Sequence, residues 1–143
     1  MATYETDIII DAPPTEVWRH LIDVAQHDEW SQHFWLRGEP VVGGPGRIEF
    51  KIFGVPAGAN VVIQKFDQQR ELRWQGAPRG IALSSHFCIL EPLDGGTRTR
   101  FRHGETFSGL LAKLIVPLLG AERGGPSYNG FNEDLRRRVL GGS

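Results

Sequence analysis

A chain of 143 residues, with 16 Lys and Arg against 17 Asp and Glu and a formal net charge of -1, suits one domain spanning residues 1–143 with a real core. It carries no electrostatic footprint for nucleic acid or an anionic membrane. The single cysteine, Cys88, excludes an internal disulfide, and the opening MATYETDIII lacks the basic region, apolar core and cleavage site of a secretory signal, so a cytoplasmic location is expected. The most apolar run, LLAKLIVPLLG, is interrupted by Lys113 and Pro117 and is too short to span a bilayer.

In chain order, TYETDIIIDAP begins as a strand of β-branched residues and ends at a proline pair. Pro14 fits the first turn of a helix in which Val17, Trp18, Leu21 and Ile22 recur at helical spacing, and a second short helix is expected around DVAQHDEW. The period then changes to two. GRIEFKIF alternates Ile48, Phe50 and Ile52 with Arg47, Glu49 and Lys51; ANVVIQKF continues the theme; and RELRWQG places Leu72 and Trp74 inward. IALSSHFCILE and TRTRFRHGETF follow, separated by the turn signal PLDGG. From Ser108 the period is helical again, in two pieces broken by Pro117 and by Gly124 to Pro126. One strand, two short helices, five or six further strands and a C-terminal helix make an α+β fold with an antiparallel sheet. Leu111, Leu114, Ile115, Leu118, Phe131 and Leu135 form the helical stripe expected to face it.

The stretch TRTRFRHGETF poses a problem of facing. Alternation puts Arg98, Arg100 and Arg102 on one side and Phe101, His103, Glu105 and Phe107 on the other. The arginine side is solvated, so His103 and Glu105 point inward, where they are costly unless something meets them. A four-residue loop at Leu93 to Gly96 sets Glu91 opposite Arg98, Cys88 opposite Phe101, His86 opposite His103 and Ser84 opposite Glu105. His103, Glu105, His86 and Ser84 then form an inward polar patch. A slip of two residues would change partners but not faces. The bland readings are a satisfied core histidine for His86 and, for Glu105, a carboxylate bonding backbone amides at the start of the last helix. Phe87 and Ile89 fall on the outer face beside Arg100 and Arg102, an apolar patch suited to a homodimer interface. Trp30 reads as core, and Trp35, a loop tryptophan, as a pocket residue.

The pieces IDAPPTEVW, DEW at Asp28 to Trp30, LEPLDGGTRTRFRHGETFSGLL at Leu90 to Leu111, and FNEDLRRR at Phe131 to Arg138 resemble, in order, the SRPBCC or START-like superfamily of polyketide cyclase-like proteins. Two stretches depart from it: WSQ stands where relatives have a Trp-Asn-Pro-like turn, and ERGGPSYNG should interrupt a helix that relatives keep longer. The resemblance implies a helix-grip fold, a curved antiparallel sheet of six or seven strands wrapped around a long C-terminal helix, and an apolar cavity between them. Its expected lining is Trp35, Phe50, Ile52, Leu72, Trp74, Ser84, His86, Cys88, Phe101, His103, Glu105, Phe107, Leu111, Ile115 and Phe131.

Three functions fit. The first is binding of an apolar small molecule such as a lipid, a polyketide-like compound or an aromatic metabolite. The second is a cyclase or dehydratase with His103 or His86 as acid/base and Glu105 tuning it. The third is an interaction module using Phe87 and Ile89. No nucleophile motif, phosphate loop or cofactor fingerprint is present, so no cofactor is expected. His86, His103 and Glu105 share a face in the manner of a facial triad, but the resemblance implies relatives that usually work without metal, and no metal is expected either.

Overall fold

The computed structural model describes residues 2–76, 83–109, 112–120 and 126–141. Seven antiparallel strands form one sheet: β1 (Ala2–Ile10), β2 (Phe34–Arg37), β3 (Pro45–Ile52), β4 (Val55–Asp67), β5 (Glu71–Gly76), β6 (Leu83–Leu93) and β7 (Arg98–Ser108). Their order across the sheet is β1-β7-β6-β5-β4-β3-β2, so the first strand closes one edge and a sequence of hairpins builds the rest. Helices α1 (Pro14–Ile22) and α2 (His27–Trp30) follow β1, and α3 (Ala112–Gly120) and α4 (Tyr128–Val139) follow β7. The core lies between the concave face and these helices. It gathers Ile10, Val17, Trp18, Leu21, Trp30, Ile63, Leu72, Trp74, Leu90, Phe101, Phe131 and Leu135.

Local chemistry explains the elements. Pro13 caps α1 in extended backbone and Pro14 takes its first turn, where a missing N–H is harmless. The α4 helix begins afresh because Ser127 accepts a hydrogen bond from the Gly130 amide at 2.9 Å, and it ends with Arg136, Arg137 and Arg138 against the negative end of the helix dipole. A side chain at Gly130 would meet the His33 ring, which would have to turn away to admit it. The same junction is held by the Gln32 amide donating to Asp134 at 2.9 Å. Pro117 sits inside α3 and does not break it, contrary to the sequence reading. Gly124 and Gly125 lie outside the described residues.

Strand β2 was not anticipated as a strand. Only four residues long, it pairs with β3 and turns Phe34 and Leu36 inward, each 3% exposed. Trp35 therefore points to the opposite face, its indole N–H donating to the Ser31 carbonyl at 3.1 Å. There it borders an open groove of about 230 Å³ shared with Arg37, Glu49 and Lys51, outside the interior to which it was assigned. Ile52 is likewise not inward: it is 45% exposed, next to the Phe53–Gly54 turn and beyond Phe50, the last residue of β3 that packs on the core. Leu114, expected in the buried stripe, is exposed. Leu111 and the side chains of Ile115 and Leu118 lie outside the described residues.

The β6–β7 register also needs correction. Pairing reaches Leu93 and Arg98, so the loop is Asp94 to Thr97, and Glu91 meets Arg100 where Arg98 was expected. The cause is the loop chemistry. Asp94, Gly95 and Gly96 all adopt positive φ, which pushes the turn one residue along the chain and moves every partner by two. The faces survive. Phe87, expected at an exposed dimer patch, is only 3% exposed, because the Arg73 guanidinium lies 5.0 Å over its ring and Gly104 faces it across the ladder. A side chain at Gly104 would come within 3.0 Å of that ring. Ile89 beside it is partly buried.

Candidate functional site

Alternation along β6 and β7 delivers Ser84, His86 and Cys88 from one strand and Phe101, His103, Glu105 and Phe107 from the other to the concave face. In the observed register His86 stands opposite Glu105, and Cys88 opposite His103. The inward polar residues join into one chain of hydrogen bonds. The Tyr128 hydroxyl donates to Glu105 Oε1 at 2.7 Å, and the same oxygen meets His86 Nδ1 at 2.8 Å. His86 Nε2 meets His103 Nε2 at 2.6 Å, and His103 Nδ1 meets Asn132 Oδ1 at 2.9 Å. Asn132 Nδ2 then donates to the Thr6 hydroxyl at 2.8 Å, which donates to the His103 carbonyl at 2.9 Å.

Burial deepens along the chain. The Glu105 side chain is 17% exposed, whereas His103 is 0% and Asn132 1% exposed. Aromatic rings enclose it. His86 is stacked between Trp74, with centroids 4.3 Å apart, and Tyr128, 5.5 Å away, while Phe34 meets it edge-on. His103 packs against Phe34, Phe101, Tyr128 and Phe131.

With the Glu105 carboxyl ionised, counting donors gives one protonation pattern. Asn132 gives its amide N–H to Thr6, so its oxygen accepts from His103 Nδ1–H, and a neutral His103 then offers only a lone pair at Nε2. His86 then supplies the proton between the two rings, and an ionised Glu105 can only accept, so His86 donates to it from Nδ1 as well. Three N–H protons on two imidazoles make His86 an imidazolium, with Glu105 as its counter-ion. The titration tendencies agree. Burial and the charge on His86 hold His103 well below the ordinary histidine range, against the bonds from Asn132 and the Tyr128 backbone. Burial pushes the Glu105 carboxyl up, but the His86 and Tyr128 hydrogen bonds and the His86 charge outweigh it and hold it low. Burial raises the Cys88 thiol strongly, so it stays protonated. The site is thus a proton held between two rings in a dry aromatic setting, with a carboxylate at its least buried end.

Of the residues expected at the site, the structure brings His86, Cys88, His103, Glu105, Phe101, Trp74, Leu72, Phe107 and Phe131 to the interior. Ser84 sits at its edge and bonds the Gly76 carbonyl at 3.2 Å, and Phe50 is half-buried. Glu105 bonds the His86 and Tyr128 side chains through Oε1 and so joins the polar patch. Thr6, Phe34, Tyr128 and Asn132 were missed. Tyr128 and Asn132 precede Leu135 at helical spacing, so two polar residues inside an apolar stripe were the available signal.

Solved structures share the fold. A protein of Arthrobacter aurescens, solved by NMR, superposes with a TM-score of 0.74 at 19% identity, covering 99% of this chain and 87% of that one. DynU16, from the dynemicin biosynthetic locus, gives 0.71 at 17% identity over 96% of this chain and 47% of its own. Ara h 8.0201 gives 0.67 at 14% identity over 98% of both chains. The curled seven-stranded sheet gripping C-terminal helices is the helix-grip fold. A comparison with curated protein sequences finds no match. Residues 1–139 match the family model described as polyketide cyclase/dehydrase and lipid transport, and with nearly its whole length inside that match this chain belongs to the family.

Proposed function

We propose that the protein binds an apolar small molecule, of the lipid, polyketide-like or aromatic metabolite kind, between the concave face of the sheet and the C-terminal helices. The observation that carries this is the buried Glu105–His86–His103 chain among the rings of Phe34, Trp74, Phe101, Tyr128 and Phe131. An ion pair of this kind is seldom retained for stability alone, since apolar residues of similar volume would hold such a core equally well. Apolar walls with a few convergent polar groups are the usual profile of a small-molecule site. The polar end of a ligand would meet Glu105, the least buried group of the hydrogen-bonded chain.

A second reading, acid/base catalysis of the cyclase or dehydratase type, is favoured by one specific feature. An imidazolium backed by a carboxylate is a proton donor already in position, and in a water-poor site its proton transfer needs no further cofactor. In this reading His86 is the acid, Glu105 orients it, and His103 receives or returns the shared proton.

Native mass spectrometry of the protein purified from its own host tests the first reading: an equimolar apolar adduct is expected. A bare chain that also fails to bind fatty acids, sterols and aromatic polyketides would overturn it. With the released ligand, Glu105→Gln is expected to weaken binding by about 1–3 kcal/mol if the chain only satisfies the ligand's polar atoms. Intact affinity with a turnover rate lowered about a hundredfold or more marks the catalytic reading.

A further inference from the structure

The binding reading leaves Cys88 without a part. It is 0% exposed, stands opposite His103 across the ladder, and shares its face with His86 on the same strand. One donor atom from each of His86, Cys88 and His103 can be chosen so that all lie within 4.8 Å of one another. We propose that His86 Nε2, His103 Nε2 and Cys88 Sγ form a binding site for one divalent transition-metal cation, best matched by Zn²⁺.

Four observations carry it. First, the two Nε2 atoms face each other at 2.6 Å while each Nδ1 is held from behind, His86 by Glu105 and His103 by Asn132. A ligating histidine is oriented in this way, its second ring nitrogen tied to a carboxylate or carbonyl oxygen. Glu105, placed among the candidate ligands by the sequence, therefore belongs behind the ligand, and the thiol takes the third position. Second, the reach is right. Zn–N bonds of about 2.0–2.1 Å and Zn–S of about 2.3 Å at tetrahedral angles separate the donors by roughly 3.3–3.7 Å. The rings open by less than about 1 Å from the distance set by the shared proton, and the sulfur closes in.

Third, the charge balances. The cation displaces the proton between the imidazoles and the proton of the Cys88 thiol, so two protons leave for one divalent ion. The Glu105 carboxylate, the Cys88 thiolate and M²⁺ sum to zero, so no uncompensated charge is buried. No redox change or further reactant is involved. Fourth, two imidazoles and a thiolate suit a borderline or soft ion and offer nothing to Ca²⁺ or Mg²⁺, which take oxygen ligands. Three protein ligands leave a fourth position for water or for an oxygen of a bound molecule.

The test uses the full-length protein, stripped with a chelator and titrated with Co²⁺ and Zn²⁺ in the absence of any organic ligand. The expected result is one equivalent bound, a thiolate-to-cobalt band in the near ultraviolet, and about two protons released per ion near pH 7. Cys88→Ala should abolish the band and weaken Zn²⁺ binding at least tenfold. Glu105→Gln should weaken it about ten- to a hundredfold with the band retained. X-ray absorption at the zinc edge on the wild type needs no variant, and one sulfur at about 2.3 Å is expected. A first shell of nitrogen and oxygen alone, or equal affinity in a folded Cys88→Ala protein, would overturn the site and assign the ion to surface histidines such as His20 and His33. Since no apolar ligand is present, failure here leaves the binding reading untouched.

Discussion

The two faces of the β6–β7 hairpin carry charge in the same alternating pattern and treat it in opposite ways. On the convex face Arg100 bridges Asp7 and Glu91, and Arg102 clamps both oxygens of Glu5 at 3.0 and 2.8 Å. These side chains are 41% and 29% exposed, so water competes for every bond they make. On the concave face, among the described residues, Glu105, His86, His103 and Asn132 bond one another, Tyr128 and Thr6. An exposed ion pair gains little because its alternative, solvation, is nearly as good; a buried one loses heavily when broken because no alternative remains. The face a residue occupies, more than its charge, decides what its removal costs.

The largest effect expected from this difference is at Glu105. Glu105→Ala leaves the His86 imidazolium in a dry aromatic slot with no counter-ion, and about 3–5 kcal/mol of destabilisation follows. Urea denaturation at neutral pH measures it. A loss below about 1 kcal/mol would mean that water reaches the site and that the two faces are energetically alike.

The next effect is on pH dependence. His103 titrates well below the ordinary range when folded, whereas the unfolded chain takes up this proton near pH 6.5. Below that pH the unfolded state binds more protons, so stability is fully present above about 6.5 and falls as the pH drops, by at most about 1.4 kcal/mol per pH unit for one proton. Burial depresses His27 and His20 as well, and these add to the same slope. Glu105 acts in a separate window: its folded value is held low, so its contribution is full above about pH 4.3 and lost as the pH falls through the folded value. Denaturation midpoints of wild type and His103→Gln between about pH 6.5 and 5 should show the variant's slope reduced by one proton's worth. Parallel curves would place a charged His103 in the folded protein.

Much of this contrast was legible before the structure. Period two in TRTRFRHGETF separated arginines from His103 and Glu105, and the same rule placed His86 and Cys88 with them. The partners were not legible, because register depends on which residues of LDGGT accept positive φ, and Asp94 joining Gly95 and Gly96 moved the turn. Nor could alternation reveal Asn132, Tyr128 and Thr6, which reach the site from α4 and β1. Their roles arise from packing between elements far apart in the chain. Phe34 escaped for a different reason: β2 has four residues, too few for a period to stand out.

The smallest expected effect completes the contrast on the convex face. Arg102 makes a bidentate bond to Glu5, the best geometry an exposed pair can have, and sits near Glu91 at 4.0 Å. Even so, both ends of the pair touch water, with side chains 29% and 30% exposed. Arg102→Ala is expected to cost about 1 kcal/mol or less, and less again in molar salt, where screening shortens the reach of the charge to about 3 Å. A double-mutant cycle over Arg102 and Glu5, set beside one over His86 and Glu105, measures both couplings directly. The inner coupling should exceed the outer severalfold and resist salt. Equal couplings with equal salt dependence would show that the concave network is solvated and that the site is not a dry one.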